Sequence, residues 1–277
     1  MTIGFTCNDG YFDGAYLTAL SILRRTKEVC HFVLLSGDYT EWRPNFTMFS
    51  KEHTKIMEKL VKSFNRKNTF EVIDTRPLWN KHFKNLRWRR IWARWWPSPY
   101  TITRLFIYEL PQFQNKILFL DVDLMFTGDI KELYDIDLGD KEIAMSRDLF
   151  TRYKKFKRYY NSGVMLIDMK KLRQSHNFEK CIKYILEKRP MIVEQDAISF
   201  ICNAKLFPGN DFRYNYQADY IQPDTLVKHF WGFLRLRPSH RGIKQWQIEK
   251  VQQLLGLHTW DEDYKYYLEQ KAKWKKN

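Results

Sequence analysis

Two carboxylates separated by a single residue, Asp121 and Asp123, follow the apolar run Ile117-Leu118-Phe119-Leu120 in the stretch KILFLDVDLMF. Carboxylates held this close repel one another unless a cation lies between them, and an oxygen-only acidic pair suits Mg2+ or Mn2+ bridging to a diphosphate. The competing reading is a solvated strand end or turn, because Asp-x-Asp is short and recurs by chance. A second group with chemical potential is His229, at the end of the run Val227-Lys228. Read alone, such a histidine is more often a satisfied structural residue than a ligand.

These groups need elements to position them. Residues 117–120 combine β-branched, aromatic and branched side chains without a polar alternate, the pattern of a strand buried on both faces. The run predicts a central strand of a mostly parallel sheet, with the carboxylates at its carboxyl end, where open α/β sheets bind ligands. Strands are expected at 3–6, 31–35, 69–73, 142–145 and 227–230, with another beginning near Asn161. Helices are expected at 16–25, 47–66, 100–110 and 194–203, the last opening with Glu194 and Asp196. The segment after Asp123 reads as a turn and a short helix. The alternation of strand and helix predicts right-handed βαβ units and an α/β fold. Neither GxGxxG nor GxxxxGK occurs, so phosphates would be handled by a metal on Asp121 and Asp123.

With 277 residues the chain forms one large domain or two joined halves. A hydrophobic content of 44% and an aromatic content of 17% exclude charge-dominated disorder. The net charge of +15 attracts polyanions, whether nucleic acid, nucleotide phosphates or an anionic membrane, without choosing among them. The opening MTIGFTCNDG lacks a secretory pattern and no segment reaches ~18 uninterrupted apolar residues, which predicts a cytoplasmic chain, soluble or peripheral on a membrane. Cys7, Cys30, Cys181 and Cys202 contain no CxxC pair and are expected as core thiols. Within 79–99, Trp88, Ile91, Trp92, Trp95 and Trp96 share one helical face, either packed on the core or presented as an aromatic, basic platform to a membrane or acceptor. Beyond Arg241 the aromatic and lysine-rich tail, 241–277, reads as a packed C-terminal helix or a membrane-associating segment.

Several blocks then occur in one order: NDGY after the first strand, the Arg104 segment, FLDVD, RDLF around Asp148, YYNSGVMLIDMKKLR, EQD and VKHFWG. Over residues 3–240 this series resembles glycosyltransferase family 8. The resemblance implies a GT-A fold, a UDP-hexose donor (UDP-glucose or UDP-galactose), Mn2+ with Mg2+ as a substitute, and transfer with retention to a glycan, lipid-linked or protein-linked acceptor. It divides 1–240 into a donor half, 1–124, and an acceptor half, 125–240. Asp121 and Asp123 match the family's metal pair, with Val122 between them as a nucleotide contact, and His229 matches the third metal ligand. Thr6, Asn8, Asp9 and Tyr11 match the turn that holds uracil and ribose. Arg104, Asp148, Asn161, Glu194 and Gln195 match positions around the donor hexose, where Gln195 would stabilise an oxocarbenium-like transition state. Gly232 matches the glycine beside the diphosphate, and Arg235 or Arg237 the phosphate-binding lysine, the family's Lys-Pro-Trp being replaced here by Arg235-Leu236-Arg237-Pro238. Two other readings compete. One is a basic nucleic-acid-binding protein, which leaves Asp121, Asp123 and His229 without a purpose; the other is a silent relative that binds UDP-sugar or membrane.

Overall fold

The computed structural model describes residues 1–83, 98–149, 159–231, 240 and 242–274. Most of the tryptophan-rich stretch 79–99 therefore lies outside the described residues, as do Gly232, Arg235 and Arg237. The chain opens with β1 (Thr2–Thr6), α1 (Phe12–Leu23), β2 (His31–Ser36), α2 (Lys51–Phe64), β3 (Thr69–Asp74), α3 (Arg76–Phe83) and α4 (Pro99–Thr103). It continues through β4 (Lys116–Leu120), β5 (Leu124–Phe126), α5 (Lys131–Tyr134), β6 (Ile143–Arg147) and β7 (Tyr160–Asp168). Then follow α6 (Met169–Ser175), α7 (Asn177–Lys188), α8 (Val193–Ile201), β8 (Ala204–Leu206), β9 (Val227–His229), α9 (Ile248–Gln253) and α10 (Asp261–Trp274).

Seven strands form one sheet in the order β3-β2-β1-β4-β7-β6-β8, which puts β4 at its centre. β3, β2, β1 and β4 run parallel; β7 is antiparallel to both β4 and β6, and β8 is parallel to β6. The unbroken apolar run of β4 is explained by burial on both sides. Ile117 and Phe119 enter one layer with Leu35, Phe106, Cys181 and Ile198, while Leu118 and Leu120 enter the other with Phe5, Leu20 and Tyr264. Across the first layer α7 and α8 cover the sheet; across the second, α1, α2 and α10 do. The four cysteines are free thiols, three of them buried and Cys202 half-buried.

Two expectations change and one alternative is narrowed. The helix expected over 100–110 is a short α4 followed by a 3-10 segment, Arg104–Glu109. The Thr103 hydroxyl donates to the Tyr100 carbonyl at 2.8 Å and Arg104 Nε donates to Thr101 O at 3.0 Å, so side chains take up carbonyls of this turn. Residues 124–126, read as turn, form β5, which pairs antiparallel with β9 in a separate two-stranded ribbon. Finally, of the two readings of the C-terminal segment, the packed one holds for three of its aromatic residues. Trp260, Tyr264 and Tyr267 are buried, and Trp260 Nε1 donates to Phe126 O at 2.7 Å. Buried Asp263 on α10 is gripped by Arg24 Nε at 3.1 Å and Arg25 Nη2 at 2.7 Å at the end of α1. These three rings pack in the core, so α10 is an integral layer of the fold.

Candidate active site

The carboxyl end of β4 delivers Asp121 and Asp123, and β9 delivers His229 beside them. The ribbon sets this approach: Leu124 is in register with His229, and Phe230 N donates to Asp123 O at 2.8 Å. One ligand atom from each of the three side chains lies within 4.8 Å of the others. His229 Nε2 is 3.1 Å from Asp123 Oδ1 and 3.7 Å from Asp121 Oδ2, yet it is buried and makes no hydrogen bond. A buried nitrogen without a partner is costly unless a ligand completes it. Two carboxylates and an imidazole lone pair are a donor set for a divalent cation such as Mn2+ or Mg2+. The close approach of His229 depends on Gly163 of β7, since a Cβ there would stand 2.4 Å from His229 Cε1.

Two cations flank the carboxylates. Arg104, buried, donates from Nη2 to Asp121 Oδ1 at 2.5 Å and from Nη1 to Ser162 O at 2.6 Å. Lys244 pairs with Asp123 Oδ2, and its Nζ donates to Phe230 O at 3.1 Å. Burial opposes ionisation of Asp123, but the Lys244 ammonium and His229 hold its carboxyl well below the usual carboxylate range.

Behind the triad, β7 and α8 build a polar network. Asn161 Nδ2 donates to Asp148 Oδ2 at 3.0 Å, and Gln195 Nε2 donates to the same oxygen at 3.1 Å and to Tyr159 Oη at 3.2 Å. Ser162 N donates to Gln195 Oε1 at 3.2 Å, and Ser162 Oγ to Glu194 Oε1 at 3.3 Å. Burial pushes the Glu194 carboxyl up to about 7, Arg104 opposing it. A carboxyl whose folded-state value lies above its ordinary 4.5 adds stability that is fully present below that value and is lost as pH rises through about 7. Stability in denaturant titrations is therefore expected to fall between pH 4.5 and 7 by up to about 3 kcal/mol from this group, and Glu194→Gln flattens that slope.

The turn after β1 lies one strand away. Asn8 is buried; its Nδ2 donates to Asn45 O at 3.3 Å, while its Oδ1 has no partner among the described residues. Tyr11 is 42% exposed and meets Trp246 edge-on at 5.5 Å. Thr6 and Asp9 are engaged within the fold: Thr6 Oγ1 donates to Tyr100 O at 2.9 Å, and Asp9 Oδ1 accepts from Ser50 N at 2.8 Å and contacts His53 Nδ1 at 2.6 Å. The Val122 carbonyl accepts from Gln245 Nε2 at 2.8 Å.

The model of the family described as "Glycosyl transferase family 8" matches residues 2–232. The chain belongs to glycosyltransferase family 8. Among curated relatives of this family 8 chain, glycosyltransferase GlyE of Streptococcus pneumoniae is 30% identical over 129 residues, covering 46% of this chain and 31% of GlyE. A putative glycosyltransferase of Haemophilus influenzae is 23% identical, covering 77% of this chain and 63% of its own, so the chain spans a third to under two thirds of these two relatives. Lipopolysaccharide 1,2-glucosyltransferase of Escherichia coli is 22% identical, covering 97% of this chain and 86% of its own. The galactosyltransferase LgtC, solved with donor and acceptor sugar analogues, superposes with a TM-score of 0.65 at 21% identity over 95% of this chain and 100% of LgtC. That likeness establishes the GT-A type of fold.

In this family 8 chain, the structure joins Arg104, Asp121, Asp123, Asp148, Asn161, Glu194, Gln195 and His229 in one contiguous site. Lys244 and Asn215 belong to it and were not expected. The signal for Lys244 was present: Lys244-Gln245-Trp246 keeps the lysine and tryptophan of Lys-Pro-Trp, downstream of the position where that motif is broken.

Proposed function

We propose that this glycosyltransferase moves a hexose, glucose or galactose, from a UDP-sugar to a glycan, lipid-linked or protein-linked acceptor with retention of configuration, using Mn2+ held by Asp121, Asp123 and His229. The observation that carries this reading is the buried, unpartnered His229 Nε2 facing two carboxylates. When bound, the cation supplies Lewis-acid charge at the diphosphate oxygens. Lys244, fixed between Asp123 and the Phe230 carbonyl, is the chain's own cation for the departing diphosphate. Asn8 Oδ1 offers an acceptor to an N–H of the base, and exposed Tyr11 offers its ring. Arg104 offsets the charge of Asp121 and braces Ser162. Glu194 and Asp148 stand where sugar hydroxyls would be bound. Gln195 is held with its amide oriented by Asp148 and Ser162; an amide is a poor nucleophile, so its dipole serves an oxocarbenium-like transition state. Relatives named as a glucosyltransferase and a galactosyltransferase support a hexose donor without choosing between them.

UDP release from UDP-glucose and UDP-galactose, measured with Mn2+ and with EDTA, tests this reading without an acceptor. Metal-dependent release of UDP from one donor is expected. Absence of both turnover and UDP binding would overturn it.

The same reading places the enzyme on the cytoplasmic face of a membrane carrying a lipid-linked acceptor. No helix among the described residues is long and apolar enough to cross a membrane. Contact would be electrostatic, through Lys51, Lys55, Lys59 and Lys62, which share one exposed face of α2 opposite buried Met57, Leu60 and Val61. Co-sedimentation with anionic vesicles is expected to fall severalfold when these four lysines become glutamate, and to fall with added salt. Unchanged partitioning would remove the membrane from the proposal.

A further inference from the structure

His229 is orientated by a residue that is not itself part of the metal triad. Asn215, fully buried after the 3-10 turn Asp211–Tyr214, places Oδ1 2.9 Å from His229 Nδ1 and Nδ2 2.8 Å from Asn161 Oδ1. The orientations of the Asn161 and Asn215 amides follow from their neighbours. Gly163 N–H, which can only donate, lies 3.0 Å from Asn161 Oδ1, and the Asp148 carboxylate accepts from Asn161 Nδ2 at 3.0 Å. Asn161 therefore presents an acceptor to Asn215. Asn215 must answer with its NH2, which turns its carbonyl oxygen to His229. Facing an acceptor, His229 Nδ1 carries the proton whenever Nε2 is given to a cation rather than to Asp123 Oδ1. In the neutral ring the lone pair is then on Nε2, the unpartnered atom that faces Asp121 and Asp123.

We propose that Asn215 is a positioning residue: it fixes the Nδ1–H tautomer of His229, so that Nε2 is the metal-binding atom, and ties that ligand to Asn161, Asp148 and Gln195 on the donor-sugar side. The proposal rests on the metal reading given above. Partners of this kind orient a ligand imidazole and raise its basicity, and their loss costs about 10–100-fold in metal affinity. Asn161, with Nδ2 on Asp148 and Oδ1 shared by Gly163 and Asn215, is thereby a link in the relay, its amide spent on protein groups.

Two measurements test this. Long-range 15N–1H correlation spectra of histidine-labelled, metal-free protein, at a pH that neutralises the ring, are expected to show Nδ1–H for His229 in the wild type and in Asn215→Asp, and a tautomer mixture in Asn215→Leu. An Nε2–H signal in the wild type overturns the proposal. Mn2+ binding in the presence of UDP, read from the free-ion electron paramagnetic resonance signal, is expected to weaken about 10–100-fold in Asn215→Leu and clearly less in Asn215→Asp, which keeps an acceptor for Nδ1–H but gives up the N–H to Asn161 Oδ1. Equal weakening of both variants marks a merely structural role and overturns the proposal, as does an unaffected Asn215→Leu. If Asn215→Leu does not fold, the wild-type tautomer and the affinity of Asn215→Asp decide the matter. Failure of the wild type to bind Mn2+ removes the metal reading, and the tautomer spectrum still decides the role of Asn215.

Discussion

Asp123→Asn is expected to lower metal-dependent UDP release by at least about 10²–10³-fold, the scale on which a single electrostatic contribution to a transition state acts. The replacement is isosteric, so packing around β5 is kept. What is lost is the negative charge on the oxygen that faces His229 Nε2 at 3.1 Å and on the one that pairs with Lys244. His229 is buried and Lys244 half-buried, so a thermal melt of the variant separates loss of chemistry from loss of fold. Turnover within tenfold of wild type, at saturating Mn2+, would take the metal out of the reaction.

The second large effect concerns Lys244. Its ammonium is held on the Asp123 carboxylate, and burial would lower its proton affinity were it not outweighed by that carboxylate. A lysine kept charged in this position serves either the diphosphate or Asp123 alone, and the two roles predict opposite results. As the cation of the leaving diphosphate, Lys244→Met lowers donor turnover by about 10²-fold and raises the KM for UDP-sugar. As a counter-ion to Asp123 alone, the same change leaves turnover intact and tightens Mn2+ binding, because the metal no longer competes with an ammonium. The first outcome is expected, and steady-state UDP release together with Mn2+ titration distinguishes them.

How much of this was legible in the sequence depends on how local the signal is. The central strand is readable because four consecutive apolar residues admit no one-sided burial, and both layers of the core receive alternate members of that run. Asp121 and Asp123 are readable because they end it. His229 is ambiguous by itself, since a histidine after a short apolar run carries no period; only its place in the ordered series of motifs makes it a candidate ligand. Asn215 is silent, because its role is defined by two amide orientations and a tautomer, none of which a residue type encodes. The C-terminal aromatics are ambiguous for a related reason: composition records that Trp260, Tyr264 and Tyr267 are amphipathic, while their burial depends on α1 and β5, far away in the chain. β5 itself is three residues long and pairs with a strand more than a hundred residues on, so neither length nor periodicity could announce it.

That small ribbon has a consequence for how such a protein can change. Leu124–Phe126 and Val227–His229 act as a clasp, reinforced by Thr127 N donating to Leu226 O at 3.0 Å. Everything between, residues 127–226, departs from one side of the clasp and returns to the other. Lengthening such an excursion costs only about 0.6 kcal/mol for each doubling of a flexible segment. Surface loops within it can thus gain or lose residues without altering the spacing of Asp123 and His229. Divergence in those loops and constancy in the spacing of Asp123 and His229 are, in this architecture, separately adjustable.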